Sequence, residues 1–269
     1  MGIQRQLLSF LSGRTALITG STSGIGEGVA KALASRGANI VFNGFGDENE
    51  IKKLVDNVQK DYSVQTTFIG GDLTKEKDVQ ALYDNALSKF PGGIDILVNN
   101  AGFQNVSPLE NFPLDVFNKM VAVMLTAPFH LTKLCVGNMK QKGWGRIINI
   151  ASVHGHVASP NKTAYVAIKH GIIGFTKAVA IETAGTGVTC TAMCPGYVET
   201  PLFIKQAEDI AKKIGGTYDD GKKQILRVHP TGEPVKVDEV SECVAFLCSQ
   251  AASQMTGSSL IVDGGWVSH

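Results

Sequence analysis

No charge of either sign dominates this chain. It carries 25 Lys and Arg against 24 Asp and Glu, a net +1 over 269 residues, and its basic residues form no cluster. A nucleic acid or an anionic membrane surface would need such a cluster, so neither is expected as the main partner, and a small molecule is. Long apolar runs are lacking too: none approaches the ~18 residues of a membrane span. The N-terminal MGIQRQLLSFLSG has too short an apolar part for a secretory leader and runs directly into a strand. Its Met-Gly start departs from the myristoylation pattern, because position 6 is Gln6 rather than Ser or Thr. Cysteine is sparse: Cys135, Cys190, Cys194, Cys243 and Cys248 are odd in number and form no CxxC pair, which reads as reduced thiols in a cytoplasmic protein. Cys190 and Cys194 lack further ligands at metal spacing, so no metal site is expected.

Apolar residues make up 43% of the chain, enough for a large core. Strand-length apolar runs fall at Thr15–Thr19, Ala38–Phe42, Thr66–Gly70, Ile94–Asn99, Arg146–Ala151, Val188–Met193 and Ser259–Val262, with longer helical patterns between them. That alternation predicts an α/β fold: a doubly wound Rossmann domain with a seven-stranded parallel sheet and helices on both faces. No Pro/Ser-rich linker, low-complexity segment or repeat interrupts the order, so a single domain over 1–269 is expected. Only 203–232 has no place in the βα series.

The first strand enters Gly20-Ser-Thr-Ser-Gly24-Ile-Gly26 and then the amphipathic EGVAKALASRG, with Gly37 expected at the helix C′ position. Glycines at such a turn let backbone approach a pyrophosphate seated on the helix N-terminus. The second strand ends in IVFNGFGDENE. A 2′-phosphate normally needs Arg or Lys there, whereas Asn43, Phe45, Asp47 and Glu48 would leave it unpaired or repelled, so NAD is expected over NADP.

The chemistry is expected around Ser152, Tyr165 and Lys169. Ser152 ends the fifth strand run; Tyr165 and Lys169 stand at i and i+4 in a helical pattern, hence on one face. An ammonium ~4 Å from a phenol favours phenolate by about 4 kcal/mol at an effective dielectric near 20, roughly three pK units. That moves the phenol toward the neutral range in which proton transfer is most effective.

Ser152, Tyr165 and Lys169, with TGSTSGIG (Thr19–Gly26), NNAG (Asn99–Gly102) and PGYVET (Pro195–Thr200), resemble the short-chain dehydrogenase/reductase family over nearly the whole chain. The resemblance implies that Gly20, Thr22, Ser23, Gly24, Ile25 and Gly26 hold the dinucleotide phosphates. Phe45, Asp72, Leu73, Asn99, Ala101 and Gly102 would lie along it. Pro195, Gly196, Val198 and Thr200, with Tyr165 and Lys169, would face the nicotinamide end. It further implies a homotetramer assembled through the long helices and the C-terminal end. Within the family, NGFGD, GRIINIAS, NKTAYVAIKHG, LFIKQ and VDGGW resemble the bacterial branch acting on short (R)-3-hydroxy acids. That implies interconversion of (R)-3-hydroxybutyrate and acetoacetate, with Gln104, His154, Lys162 and Gln206 round a small carboxylate beside Ser152 and Tyr165, and 203–232 as a helical lid. Two positions depart from the pattern. Met124 stands where the family has an Asn that holds a relay water, and Tyr197 stands where this branch tends to have Trp. The rival readings are a 3-oxoacyl thioester reductase and a non-catalytic NAD-binding module.

Overall fold

The structure, a computed structural model, describes residues 9–268. The Met-Gly start, and the leader and acylation readings that rest on it, lie outside those residues. Seven strands form one sheet: β1 (Thr15–Ile18), β2 (Asn39–Phe42), β3 (Thr66–Phe68), β4 (Ile96–Asn99), β5 (Gly145–Ile150), β6 (Val188–Pro195) and β7 (Ser259–Val262). Their order is β3-β2-β1-β4-β5-β6-β7, every neighbouring pair parallel. Order reverses between β1 and β4, so the crevice beyond the C-terminal strand ends opens there.

The connecting helices are α1 (Gly24–Ala34), α2 (Glu48–Tyr62), α3 (Glu76–Lys89), α4 (Leu114–Val121), α5 (Ala127–Gln141), α6 (Thr163–Glu182), α7 (Pro201–Ile214), α8 (Tyr218–Ile225) and α9 (Val237–Leu247). Alternate strand residues face opposite layers. Ile18, Ile40 and Ile96 pack with Val29 and Leu33 of α1 and Val240 and Val244 of α9. Leu17, Val41, Leu97 and Ile147 pack with Leu82 of α3, Leu131 and Met139 of α5, and Val179 of α6. Helices α7 and α8, in the segment without a βα role, share a separate small cluster of Phe203, Ala207, Ile225 and Leu226.

Three local expectations are corrected. Strand β3 stops at Phe68 rather than Gly70, since Gly70 and Gly71 contribute no side chain to an edge strand that is only half buried. Gly37, φ +92°, lies two residues past the Ser35 cap of α1 rather than next to it. The stretch Leu114–Gln141 and helix α6 are long and apolar enough to cross a membrane by length and composition, with hydropathies of 1.5 and 1.3. A search for unbroken runs overlooks them because isolated polar residues are spaced along them. Each lays an apolar face on the sheet, and Leu114, Phe129 and Ile181 stay exposed on the other side.

A polar chain crosses the apolar layers. Asn99 Nδ2 donates to Asn149 Oδ1 at 2.8 Å, Asn149 Nδ2 to Thr176 Oγ1 at 2.9 Å, and the Thr176 hydroxyl to the Ile172 carbonyl at 2.8 Å. It ties β4 to β5 and β5 to α6.

Candidate active site

Beyond the strand ends lies a cavity of about 610 Å³. One wall is the turn between β1 and α1. Thr19 Oγ1 accepts from the amides of Asn100 and Ala101 at 3.0 Å each, and Asn100 Nδ2 donates to the carbonyls of Thr19 and Gly20 at 2.9 Å each. The loop after β4 is thereby laced to the glycine turn. Gly20 adopts φ +62°, and a Cβ on Gly26 would run into the Gly20 carbonyl. Ser23 caps α1 without a side-chain hydrogen bond, so the first-turn amides keep their donors for an anion at the positive end of the helix dipole. A dinucleotide pyrophosphate fits this cradle.

At the end of β2, Thr22 Oγ1 donates to the Phe45 carbonyl at 2.7 Å, and the Asn43 amide turns away to the Ile69 carbonyl at 3.1 Å. Asp47 caps α2 by accepting from the Asn49 and Glu50 amides. Asp72, after β3, accepts from the Thr74 hydroxyl at 2.7 Å and pairs with Lys75 at 3.1 Å. The Thr74 hydrogen bonds, followed by Lys75, hold its carboxyl down at about 2.

The reacting groups converge opposite the glycine turn. Ser152 leaves β5 and caps a short turn, its Oγ accepting from the His154 amide at 3.2 Å. Tyr165 and Lys169 project from the first turns of α6, as their spacing predicted. Lys169 is buried; its Nζ donates to the Ile150 carbonyl at 2.7 Å and lies 5.4 Å from the Tyr165 ring centroid. The His154 ring stands edge-on to Tyr165 and Trp266, with Nε2 3.0 Å from Ser159 Oγ. Burial first, then Lys162, pulls its pKa down to about 4, so at neutral pH it is an uncharged hydrogen-bonding group.

On the far side, Gln206 Nε2 donates to Gln104 Oε1 at 3.4 Å, and Tyr197 stacks on Trp266 at 5.2 Å and 16°. Of the residues expected to bind cofactor or substrate or to carry the chemistry, all line the cavity except Gly26, Asn99 and Lys162; Asp47 and Glu48, weighed for the cofactor choice, lie outside it as well. Gly26 serves by its lack of a side chain beneath the turn. The Asn99 amide is spent inside the sheet, and its neighbour Asn100 takes the loop role. Lys162 lies buried behind Tyr197. Sequence reasoning passed over Asn100, Thr74 and Trp266 as lining residues; the signals were the second Asn of NNAG and the Trp of VDGGW.

Met124 lines the cavity, is 3% exposed, and sits in a π turn over Ala122–Thr126 between α4 and α5. Pro128 lacks an N–H, which withholds the donor that the Met124 carbonyl would take in a regular helix. An Asn amide here would be buried among Met120, Ala164 and Ile168 at a cost of ~1–3 kcal/mol. Met124→Asn is therefore expected to melt lower than wild type and to turn over no faster. A tenfold gain in kcat at an undiminished Tm would mean that the thioether impairs proton transfer.

Known proteins share this fold and much of this sequence. A family model described as Enoyl-(Acyl carrier protein) reductase matches residues 20–267. The D-beta-hydroxybutyrate dehydrogenase of Cupriavidus necator is 50% identical over 258 residues, 96% of this chain and 99% of that protein. Its namesake from Rhizobium meliloti is 46% identical over 254 residues, 94% of this chain and 98% of that protein. Among solved structures, L-sorbose reductase from Gluconobacter frateurii, complexed with NADPH and L-sorbose, superposes with a TM-score of 0.91 at 28% identity, covering 96% of this chain and 98% of that one.

Proposed function

The chain belongs to the short-chain dehydrogenase/reductase family of oxidoreductases, and from that premise we propose that it interconverts (R)-3-hydroxybutyrate and acetoacetate with NAD. The observation that carries the reading is the convergence of Ser152, Tyr165 and Lys169 with the glycine cradle in one cavity. The two dehydrogenases of that activity, matched nearly end to end, support the substrate.

The cradle from Gly20 to Gly26 would hold the pyrophosphate, and Thr200, Pro195 and Val198 would flank the nicotinamide, which supplies a hydride acceptor when bound. Tyr165 takes the proton from the C3 hydroxyl as the C3–H bond breaks. The Ser152 hydroxyl donates to the same oxygen and steadies its developing charge. Lys169, anchored on the Ile150 carbonyl, keeps positive charge under the Tyr165 ring. Gln104 and Gln206 offer amide donors, and neutral His154 a ring edge, toward the acid. Helices α7 and α8 would close over it and exclude water.

NAD is favoured because the β2 end presents no cation. Asn43 is committed to Ile69, Thr22 to Phe45, and Asp47 to its cap, while the lysines lining the cavity, Lys119 and Lys169, come from α4 and α6. A homotetramer through the long helices is supported by the apolar residues that α4, α5 and α6 leave exposed. The five free cysteines support a cytoplasmic setting.

Progress curves with NAD and NADP on a panel of 3-hydroxy acids test the reading. The expected result is highest kcat/KM for (R)-3-hydroxybutyrate with NAD. A ratio favouring NADP would overturn the cofactor assignment. Activity confined to 3-oxoacyl thioesters would replace the substrate, and binding of NAD without turnover of any acid would make the protein a binding module.

A further inference from the structure

Helices α7 and α8 leave the sheet layers at Tyr197 and the chain returns to them at His229, and one side chain joins the two ends of that excursion. The Tyr197 backbone N–H donates to His229 Nε2 at 3.0 Å, and His229 Nδ1 lies 2.9 Å from the Glu233 carbonyl. A backbone N–H can only donate and a carbonyl can only accept, so the ring carries its proton on Nδ1 and is uncharged.

The imidazole is buried and slotted between two glycines. A Cβ on Gly196 would lie 2.6 Å from its Nε2, and one on Gly264 3.1 Å from its Nδ1. The rings of Tyr197 and Trp266 flank it, each 5.8 Å away between centroids. Backbone bonds fasten the same segments: Gly196 N–H to the Val262 carbonyl at 2.9 Å, Thr231 N–H to the Gly264 carbonyl at 3.2 Å, and Val235 N–H to the Tyr197 carbonyl at 2.9 Å. Gly196, Tyr197, Val198 and Thr200 line the cavity, so a shift of this loop moves the cavity wall itself.

Resting on the dinucleotide reading above, we infer that His229 is a positioning residue for the nicotinamide end of the cofactor: uncharged, it holds the loop 196–200 in place, and on protonation it lets that loop go. A proton added to Nε2 would set a second N–H against the Tyr197 N–H and leave two buried donors without an acceptor. Other ionisable groups stand round the ring. The Asp263 carboxylate accepts from the Gly265 and Val267 amides, and the exposed Glu233 carboxylate pairs with Lys222 at 3.5 Å. Burial raises the Tyr197 phenol, lowers Lys162 beyond it to about 8, and lowers His154, across Trp266, to about 4. All of these are present in every variant at position 229, so a difference between such variants reports on that ring.

NAD and ADP-ribose affinities by fluorescence titration would be measured from about pH 8 to about pH 5 for wild type, His229→Gln and His229→Leu. Hydrogen exchange of the peptide carrying residues 196–200, corrected for the intrinsic pH dependence, would be followed alongside. Gln offers the Tyr197 N–H a carbonyl oxygen that does not titrate. Wild type is expected to lose roughly tenfold or more in NAD affinity on acidification, with exchange of 196–200 rising in step, while ADP-ribose, which has no nicotinamide, stays within about threefold. His229→Leu is expected to bind NAD weakly at every pH, and His229→Gln to restore binding and flatten the acid dependence. If Leu lowers Tm too far for titration, the wild-type and Gln profiles decide by themselves. The same acid dependence in His229→Gln as in wild type, or NAD affinity in His229→Leu within about twofold of wild type, would overturn the assignment. A wild type that binds neither NAD nor ADP-ribose would overturn the dinucleotide reading instead, which keeps the two failures apart.

Discussion

Tyr165→Phe is expected to lower kcat by between about 10² and 10⁴, the range of a lost general acid/base, while NAD affinity stays within about twofold. The substitution removes one oxygen and little else. A phenylalanine ring can keep the edge contact with His154 and the packing against Met120, Met124 and Ile168. Lys169 keeps its bond to the Ile150 carbonyl, 2.7 Å, which does not involve the phenol. Ser152 still meets the substrate oxygen, and residual turnover would come from that contact and from positioning. Single-turnover measurement of the hydride step, with Tm as a control, separates lost chemistry from lost fold. A decrease under tenfold would move proton transfer to another group.

Gly26→Ala is expected to abolish measurable NAD binding at ordinary concentrations, a loss of about a hundredfold or more. The added methyl would meet the Gly20 carbonyl and lie 2.5 Å from Asn100 Nδ2 and 2.8 Å from Ser21 Cα. These are backbone atoms and an amide fixed by two hydrogen bonds, so nothing yields without shifting the turn. Overpacking of this kind costs ~1–3 kcal/mol, and here the displaced atoms are those that must fit the pyrophosphate. Fluorescence titration with NAD reads the affinity and thermal unfolding reads the stability. Wild-type affinity in this variant would mean that the dinucleotide does not depend on the cradle.

The fold was legible because the strands other than the three-residue β3 (Thr-Thr-Phe) lie in apolar runs that stand out, with longer helical patterns between them. Legibility failed where the signal was tertiary. Asn99 and Asn100 are the same residue type in succession, and strand alternation sends one into the sheet and the other toward the glycine turn; only the register Asn99↔Asn149 decides which. Lys162 precedes a helix, where a lysine is ordinarily solvated, and the loop after β5 buries it behind an aromatic from a distant segment. His229 carried no motif at all, and its role shows only once Tyr197 and Glu233 are seen on either side of it. Met124 could be identified as a departure, but the π turn around it and the missing donor at Pro128 required the helix path.

The chain of Asn99, Asn149 and Thr176 has a consequence for how accurately the site is built. A one-residue slip of β5 would turn Asn149 toward the opposite layer and leave its partners bare; rotation or sliding of α6 would break its bond to Thr176. The offset between strand and helix is therefore gauged by side-chain hydrogen bonds as well as by apolar packing, which tolerates small shifts more readily. Ser152 extends from the strand beyond Asn149, and Lys169 lies about two turns before Thr176 on the helix. The spacing that lets a serine and a tyrosine address one oxygen is thus measured out deep in the core, by residues that never touch the substrate.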